Sequence, residues 1–244
     1  MTFSKGGPGA LPVLFACHLY KIPIIIHESD TIPGMTNRIS GRWAKKVELG
    51  WQKAVSYFPN KEVEVVGIPL REEIAEKINF EQRKAKEFFK FNLNEPLILV
   101  VGGSQGAQRV NEFILANLEK LLPKFQILHQ VGSVNYESYK KIYEQLKEKW
   151  PPELRHASET KYQIWAFFEK NMDEAYAASD LIISRSGATA IFEIAAFGKS
   201  SILIPLPESA SDHQKVNAYE YSKNGAAIVI EENNLSGNLV LSQI

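Results

Sequence analysis

The sequence has a single cysteine, no long apolar run and no net charge. Lys plus Arg and Asp plus Glu each number 28 among 244 residues, which excludes a protein that binds nucleic acid through an overall basic charge. Cys17 has no second cysteine to pair with, as is typical of a reducing compartment, and its apolar surroundings predict a core position. No stretch approaches the ~18 apolar residues of a membrane span, and no signal-peptide pattern opens the chain. We therefore predict a cytoplasmic globular protein.

Charge is distributed unevenly along a chain that is long enough for two small domains. Apolar side chains make up 45% of the residues, enough to bury a sizeable core. Residues 1–71 hold nine of the 28 basic side chains and five of the 28 acidic ones, a local charge of +4 against −4 in the remainder. The N-terminal part is therefore the basic part of the protein.

Short β-rich runs alternate with segments of helical periodicity almost from end to end, which predicts parallel sheets covered on both faces by helices. The predicted strands are 22–27, 63–67, 97–103, 126–132, 162–168, 180–185, 201–206 and 226–230. The predicted helices are 34–46, 80–91, 107–121, 135–149, 172–178, 188–198 and 213–224. The charged stretch from Arg71 to Pro96, with one predicted helix and no strand, indicates a domain boundary and a hinge near residues 67–71.

The first of three unusual strand-to-helix junctions is a glycine-rich turn. In the run LILVVGGSQGAQRVN (97–111), Gly102, Gly103 and Gly106 separate the predicted strand from the predicted helix. Glycines let a ligand approach the backbone closely, and a helix start offers free N–H groups, which together suit a diphosphate. No Gly-Lys-Ser/Thr follows, so this is not a Walker loop. An ordinary tight turn is the alternative interpretation.

The second junction places one acid in an otherwise apolar helix. Ser184 and Ser186 are available to cap a helix that opens with small residues, and Glu193 follows about one and a half turns later. An exposed acid near a helix start needs no ligand. Here, however, apolar side chains surround Glu193 in the sequence, so a carboxylate among them should have a partner. A ribose, with two adjacent hydroxyls to donate, is one such partner.

The third junction, PLPESASDHQKVNA (205–218), offers Asp212, His213, Gln214 and Asn217 at a predicted helix start. Two potential metal ligands without a third at suitable spacing do not make a metal site. Hydrogen bonding to sugar hydroxyls, or helix capping by Ser211 or Asp212, fits these residue types better. The scattered histidines at positions 18, 129 and 156 are interpreted as structural.

These segments, in order, resemble the MurG family of glycosyltransferases, which add N-acetylglucosamine to lipid I. The resemblance covers almost the whole chain and rests on five blocks: IIIHESDTIPGMTNRI (24–39), VVGIPLR (65–71), VVGGSQGAQRVN (100–111), 176–207 and DHQKVNA (212–218). It implies a GT-B type α/β fold with Rossmann-like parallel sheets. Residues 1–70 would be a partial N-terminal acceptor domain, and residues 71–244 a C-terminal donor domain that lacks its last helices.

The resemblance also implies a role for individual residues. Residues 104–107 would lie by the donor diphosphate, which Arg71 would also face. Glu193 and residues 187–189 would hold the ribose. Gln214 would bind the sugar, with His213 beside it. The donor-binding set it implies is Asp30, Arg71, Gly103, Ser104, Gln105, Gly106, Ala107, Ser186, Gly187, Ala188, Thr189, Glu193, His213 and Gln214. The acceptor-side set is Lys5, Gly6, Gly7 and Asn37. No cofactor and no metal are implied. The partners are UDP-N-acetylglucosamine, lipid I and an anionic membrane surface, with no nucleic acid.

Two departures from the family pattern bear on catalysis. The glycine-rich loop ending in His, the family's favoured general base, is absent, so the base is unassigned and His27 and Glu28 are the remaining candidates. Many members have Gln-Asn where this chain has Ser29-Asp30. The chain resembles a member truncated at both ends, expected to bind the donor without transferring sugar. A donor-binding subunit that needs a separate partner, or a UDP-sugar epimerase of the same fold, are the alternatives.

The basic N-terminal part contains one candidate membrane contact. The run MTNRISGRWAKKV (35–47) is predicted to form a helix that carries Arg38, Arg42, Lys45 and Lys46 near Trp43. Such a helix would place the protein peripherally at the inner face of the cell membrane. A solvated charged face is the alternative interpretation.

Overall fold

Two parallel sheets organise the chain. The computed structural model describes residues 1–102, 107–209 and 212–244. The first sheet contains β1 (Thr2–Ser4), β2 (Ile24–Glu28), β3 (Lys46–Leu49) and β4 (Glu62–Val65) in that order. The second contains β5 (Leu97–Val101), β6 (Gln126–Gln130), β7 (Tyr162–Trp165), β8 (Leu181–Ser184), β9 (Ser200–Leu203) and β10 (Ala227–Val229). Every strand pair in both sheets is parallel.

The second sheet has the strand order β10-β9-β8-β5-β6-β7. Counted from β5, this is the doubly wound order 3-2-1-4-5-6, in which the direction of winding reverses between the first and fourth strands. The reversal lies between β5 and β8, whose neighbouring residues include Val101 and Ser184. In such folds the ligand-binding crevice lies beyond the carboxyl ends of these two strands.

Helices connect the strands. Around the first sheet lie α1 (Leu11–Leu19), α2 (Met35–Ser40) and the 3₁₀ segments Pro8–Ala10 and Gln52–Tyr57. The remaining helices are α3 (Glu72–Glu76), α4 (Gln82–Phe88), α5 (Gln108–Leu121), α6 (Tyr136–Glu148), α7 (Pro152–Lys161), α8 (Met172–Ala178), α9 (Ala188–Ala196), α10 (His213–Ser222) and α11 (Gly237–Leu241), with a 3₁₀ turn at Glu232–Asn234. The predicted α/β class with Rossmann-like parallel sheets is thus confirmed.

The second sheet is buried on both faces, as its continuous apolar runs predict. Every residue of β5 and of β6 is buried. One cluster of buried side chains packs α5 and α6 on one face, and another packs α4, α8 and α9 on the other. The first sheet has its own, smaller cluster, which includes Cys17 at 7% exposure. The predicted core position of Cys17 is therefore confirmed.

Several predicted elements were wrong in extent or missing. The helix predicted over 34–46 ends at Ser40, whose hydroxyl donates to the Thr36 carbonyl, and the chain then turns into β3. The stretch between Arg71 and Pro96 contains two short helices, α3 and α4, where one was predicted. Strands β1 and β3 and helices α1, α7 and α11 were not predicted. The boundary at residue 70 stays a prediction.

Candidate functional site

Gly102 and Ala107 flank the turn after β5. Residues 103–106, four of the predicted donor contacts, lie outside the described residues. A Cβ at Gly102 would lie 2.5 Å from the Ala107 amide nitrogen, so only glycine fits at this position. The Ala107 side chain is buried in the core, 2% exposed. Any contact of Ala107 with a ligand would therefore use its backbone.

The turn after β8 opens α9 without the predicted serine caps. Gly187 is the N-cap residue, and no side chain caps the helix. Ser184 donates instead to the Arg185 carbonyl, and Ser186 donates to the Gln214 carbonyl at 2.8 Å. The capping prediction is wrong because both hydroxyls bind carbonyls and neither binds an N–H group of the helix. Among the described residues, apart from its chain neighbours, no atom would lie within 4 Å of a Cβ at Gly187, so these residues leave the helix start open.

Two residues with short side chains open α9. Ala188 is buried, and Thr189 is exposed. The first N–H groups of a helix have no intrahelical acceptor, and the helix dipole is positive at this end. With the open space at Gly187, this end of α9 can accommodate an anionic or hydroxyl-bearing group.

Glu193 is buried and fully partnered within the chain. Its Oε1 accepts a hydrogen bond from Arg71 Nε at 3.1 Å and forms an ion pair with Arg71 Nη2, also at 3.1 Å, and its Oε2 accepts a hydrogen bond from the Tyr176 hydroxyl at 3.1 Å. Burial and the neighbouring carboxylate raise the pKa of Tyr176, so its hydroxyl remains a donor. The Arg71 side chain is 47% exposed, whereas that of Glu193 is 5% exposed. The guanidinium can therefore leave more easily than the carboxylate.

The start of α10 faces the same turn. Gln214 Oε1 accepts a hydrogen bond from the Leu206 N–H group at 3.1 Å, and His213 is half-buried beside it. Asp212 is the N-cap residue in a left-handed conformation, φ 54°, and its side chain caps nothing, which corrects the predicted Asp212 cap. Ser211, the other predicted cap, lies outside the described residues.

A cavity of about 400 Å³ lies at the end of the first sheet. It is lined by Lys5, Gly7, Pro8, Leu11, Glu28, Asp30, Gly34, Met35, Thr36 and Asn37. Asn37 is 3% exposed, and its Oδ1 lacks a hydrogen-bond partner among the described residues. Gly6 has φ 88°, and a Cβ there would lie 2.8 Å from that oxygen. The cavity thus brings together the predicted acceptor-side residues around an unsatisfied acceptor atom.

Both candidate bases are held by internal contacts. His27 is completely buried, and its Nε2 lies 2.8 Å from the Gly67 carbonyl. Glu28 accepts hydrogen bonds from the Asp30 and Gly34 N–H groups and from Asn37 Nδ2, at 2.9 to 3.0 Å. Burial raises the pKa of Glu28, and these bonds oppose that effect. Their contacts favour positioning of the loop after β2 over proton transfer.

Several contacts join the two sheets and their connections, including an ion pair between Lys53 and Glu220 at 3.8 Å. Two others depend on Asn217 and Trp51, which the candidate site set predicted from the sequence did not contain. Asn217 on α10 binds Asp30 and Thr31, with Oδ1 accepting from the Thr31 N–H at 2.9 Å. Trp51, after β3, donates to the Ser29 carbonyl and meets the Phe192 ring edge-on at 5.1 Å. Asn217 stands in the segment DHQKVNA, so the sequence signal was present, but a contact 186 residues away leaves no local pattern.

The basic run at 35–47 does not form one helix. Lys46 lies in β3 and pairs with Glu48 and Glu64, so its charge is compensated. Trp43 is half-buried and stacks on His18 at 5.2 Å. A cavity of about 260 Å³ lies nearby, lined by Arg38, Gly41, Arg42, Tyr57, Phe58, Pro59 and Lys61. Three cations and no carboxylate line it.

Comparison with known proteins identifies the family. The sequence profile of the glycosyltransferase family 28 C-terminal domain matches residues 97–244, and that of the family's N-terminal domain matches residues 1–49. The chain belongs to glycosyltransferase family 28. The predicted GT-B type fold is confirmed with it.

Relatives within the family carry MurG-type names. A protein of Clostridium tetani named UDP-N-acetylglucosamine--N-acetylmuramyl-(pentapeptide) pyrophosphoryl-undecaprenol N-acetylglucosamine transferase is 34% identical over the whole chain. The crystal structure of MurG from Acinetobacter baumannii is 28% identical, with a TM-score of 0.72, over 99% of this chain and 62% of that one. A UDP-GlcNAc 2-epimerase from Neisseria meningitidis, 12% identical, has a TM-score of 0.62 over 97% of this chain and 65% of its own, and shares the fold alone. The family 28 chain described here spans about 63% of the length of the C. tetani protein.

No helix in residues 1–102, 107–209 and 212–244 is long and apolar enough to cross a membrane. In those same ranges, no three His, Cys, Asp or Glu side chains are grouped to hold a metal ion.

Proposed function

We propose that this chain forms the donor-binding part, and a portion of the acceptor-binding part, of a MurG-type transferase. The reaction moves N-acetylglucosamine from UDP-N-acetylglucosamine to lipid I and yields lipid II for peptidoglycan synthesis. Residues 71–244 bind the donor, and residues 1–70 contribute to the acceptor side. The names of the family 28 relatives support this proposal.

The observation that carries the proposal is Glu193, a buried carboxylate at the crevice beside the open end of α9. Its Arg71 partner is half exposed, so a diphosphate can attract the guanidinium away from it. The released Oε1 then accepts a hydrogen bond from a ribose hydroxyl, while the Tyr176 hydroxyl keeps Oε2 in place. Nucleotide binding thus exchanges one partner of Glu193 for another and leaves no buried charge without a partner.

The remaining donor contacts follow the turns around the crevice. Arg71 and the N-terminus of α9, at Gly187 to Thr189, stabilise the negative charge that develops on the departing UDP. Gln214 and His213 contact the sugar, and the Ser186 hydroxyl holds Gln214 by its carbonyl. The glycine turn at 103–106 completes the diphosphate site in this proposal.

The acceptor lies in the cavity of the first sheet. The unsatisfied Asn37 Oδ1 accepts a hydrogen bond from it, and the exposed Lys5 beside Gly6 and Gly7 neutralises a phosphate of lipid I. The acceptor hydroxyl attacks the anomeric carbon, a base removes its proton, and UDP departs. The base stays unassigned, because His27 and Glu28 are both held by internal contacts.

Calorimetry with the 244-residue protein tests the donor site. We expect binding of UDP-N-acetylglucosamine and of UDP, and weaker binding of ADP because the site is built for a uridine nucleotide. The variant Gln214→Ala should weaken binding of the sugar nucleotide more than that of UDP, whereas Lys120→Ala, an exposed change on α5, should alter neither. Absence of any UDP binding would refute the proposal.

A transfer assay tests the rest of the reaction. With radiolabelled donor and a lipid I analogue, we expect the isolated chain to bind the donor without turnover, because loss of a positioned base costs about 10²–10⁴-fold. Turnover near the ~1 per second typical of enzymes would reassign the base to His27 or Glu28. Formation of lipid II only after addition of a second polypeptide would favour the separate-partner alternative. Conversion of the donor to its C2 epimer would favour the epimerase alternative.

We further propose that the basic cavity at Arg38, Arg42 and Lys61 contacts an anionic membrane surface. The cavity collects three cations and two aromatic rings, and Arg38 lies 5.9 Å from the centre of the Tyr57 ring. Each cation near an anionic leaflet contributes about 1 kcal/mol. This contact would hold the protein peripherally, on the side where its lipid-linked acceptor is embedded.

A further inference from the structure

We propose that Asn217 is a positioning residue that couples the donor crevice to the acceptor-side cavity. This inference rests on the proposed function, because it concerns communication between its two substrates. Asn217 lies on α10 of the second sheet, yet its side chain binds the loop after β2 of the first sheet. Its Oδ1 accepts from the Thr31 N–H at 2.9 Å and from the Thr31 hydroxyl at 2.7 Å, and its Nδ2 donates to Asp30 Oδ1 at 2.7 Å.

The Asn217 carboxamide uses every hydrogen-bonding position it has. Besides the contacts to the loop, Nδ2 lies 3.5 Å from the Ser186 carbonyl, at the limit of a hydrogen bond. Asn217, Thr31 and Ser186 are all 0% exposed, so water cannot replace a broken contact without entering the interface. From its position on α10, one amide therefore binds both the loop after β2 and the turn after β8.

Both ends of this link reach proposed substrate contacts. On the donor side, Ser186 donates to the Gln214 carbonyl and directly precedes the open end of α9. On the acceptor side, Asp30 lines the 400 Å³ cavity, and its N–H group donates to Glu28 Oε1. A shift of α10 or of the turn at Ser186 is thus transmitted to the cavity wall through hydrogen bonds of fixed direction.

The contact between Trp51 and Phe192, which also joins the sheets, is an aromatic ring pair and differs in kind from the hydrogen bonds of Asn217. An edge-to-face ring pair at 5.1 Å tolerates sliding and rotation within a broad range of geometries. The Asn217 bonds, at 2.7 to 2.9 Å, tolerate far less. The ring pair therefore supplies apolar contact between the sheets, and Asn217 sets their register.

Hydrogen–deuterium exchange of the peptide covering residues 29–37 tests the coupling. In the wild type we expect UDP-N-acetylglucosamine to slow exchange of this segment, although no proposed donor contact except Asp30 lies within it. In Asn217→Ala we expect exchange without ligand to accelerate about tenfold, because the Thr31 N–H loses its acceptor. Saturating ligand should no longer slow it. Ser222→Ala, at the exposed end of the same helix, is the matched control and should behave as the wild type.

A pair of substitutions that swaps the amide at position 217 and the acid at position 30 distinguishes a positioning role from simple loss of structure. Asn217→Asp keeps an acceptor for the Thr31 N–H group but sets a second carboxylate against Asp30, so it should accelerate exchange relative to the wild type. Asp30→Asn alone keeps an acceptor oxygen for the Asn217 amide and should leave exchange near the wild-type rate. Combined, the two changes restore a bond in which the new amide at position 30 donates to the new carboxylate at position 217. The double variant should therefore recover both the slow exchange and its response to ligand.

The possible outcomes separate this inference from the proposed function. If the wild type does not bind the sugar nucleotide, the proposed function fails, while the ligand-free exchange of the four variants still tests the link. If the donor binds but leaves residues 29–37 unchanged in the wild type, the coupling is refuted. An Asp30→Asn, Asn217→Asp double variant that exchanges no more slowly than Asn217→Asp alone also refutes it.

Discussion

Replacing Glu193 with alanine should weaken both the folded protein and its nucleotide binding, by amounts that the contacts allow to be separated. The change removes the acceptor of a buried Tyr176 hydroxyl and the ion-pair partner of a half-exposed Arg71. A buried donor left without an acceptor costs about 1–3 kcal/mol. The Arg71 pair adds less than about 1 kcal/mol, because solvent screens the exposed guanidinium. We expect the free energy of unfolding to fall by about 2–3 kcal/mol.

The nucleotide-binding effect depends on the proposed ribose contact. Hydrogen bonds to a charged group contribute about 1.5–3 kcal/mol, but the ribose contact replaces the Arg71 contact, so UDP should bind Glu193→Ala more weakly by at most about 10- to 150-fold. Glu193→Gln retains an acceptor oxygen and should lose less. Tyr176→Phe is the matched control, because it removes the hydroxyl that binds Oε2 and leaves the side of the carboxylate facing Arg71 intact.

Denaturant unfolding and calorimetric titration with UDP, on the same preparations, measure the two effects. We expect Tyr176→Phe to lose about 1 kcal/mol of stability and less than about threefold in UDP affinity. If Glu193→Ala, confirmed as folded, binds UDP as tightly as the wild type, then Glu193 serves only Arg71 and Tyr176, and the ribose contact is wrong.

Three further predictions concern the fold and the basic cavity. Burial lowers the pKa of His129 to about 3, so the unfolded chain binds more protons than the folded one below pH ~6.5, and the stability decreases as the pH falls. Between pH 7.5 and 5.5, thermal or urea unfolding should show that His129→Gln loses about 1.4 kcal/mol less stability than the wild type. Parallel pH profiles of the two proteins would contradict this. Gly102→Ala should lose about 1–3 kcal/mol through its clash with Ala107, whereas Gly9→Ala, with nothing within 4 Å, should be nearly neutral in the same assay. Replacing both Arg38 and Arg42 with Gln should weaken binding to anionic vesicles, measured by sedimentation, about tenfold or more. The same replacement at Lys120 and Lys124 is the control and should have little effect. Equal losses of vesicle binding in the two double variants would exclude a specific membrane-binding surface at the basic cavity.

The second sheet could be predicted from the sequence far better than the first. Its strands are continuous apolar runs such as LILVV, and such runs are buried on both faces whatever their neighbours. β1 has three residues, too few for a pattern, and β3 reads KVEL, in which Val47 and Leu49 alternate with charges. The helical spacing of its basic residues obscured that alternation. α7 was not predicted, although Pro152 opens it and proline is favoured in the first turn of a helix.

The candidate site shows a similar division between local and distant contacts. The sequence indicated that a carboxylate among the apolar residues of α9 needs a partner, and Glu193 is indeed buried with partners. Which partners it has could not be predicted, because Arg71 lies 122 residues away along the chain. Asn217 likewise meets Thr31 only through tertiary packing. Local patterns reveal that a polar group must be satisfied, and the fold determines which group satisfies it.

The hydrogen bonds that these polar groups already make in the free protein limit how much a ligand contact can add to affinity. Glu193 accepts two hydrogen bonds and makes one further ion-pair contact in the free protein, and Asn217 has no unused position. A ribose contact that takes the place of Arg71 at Glu193 Oε1 therefore adds to affinity only the difference between the two contacts. Asn37 Oδ1, buried and unsatisfied, is the contrasting case on the acceptor side. A hydroxyl that reaches this oxygen replaces no protein donor in the described residues, so one such contact should contribute more than any single donor contact at Glu193.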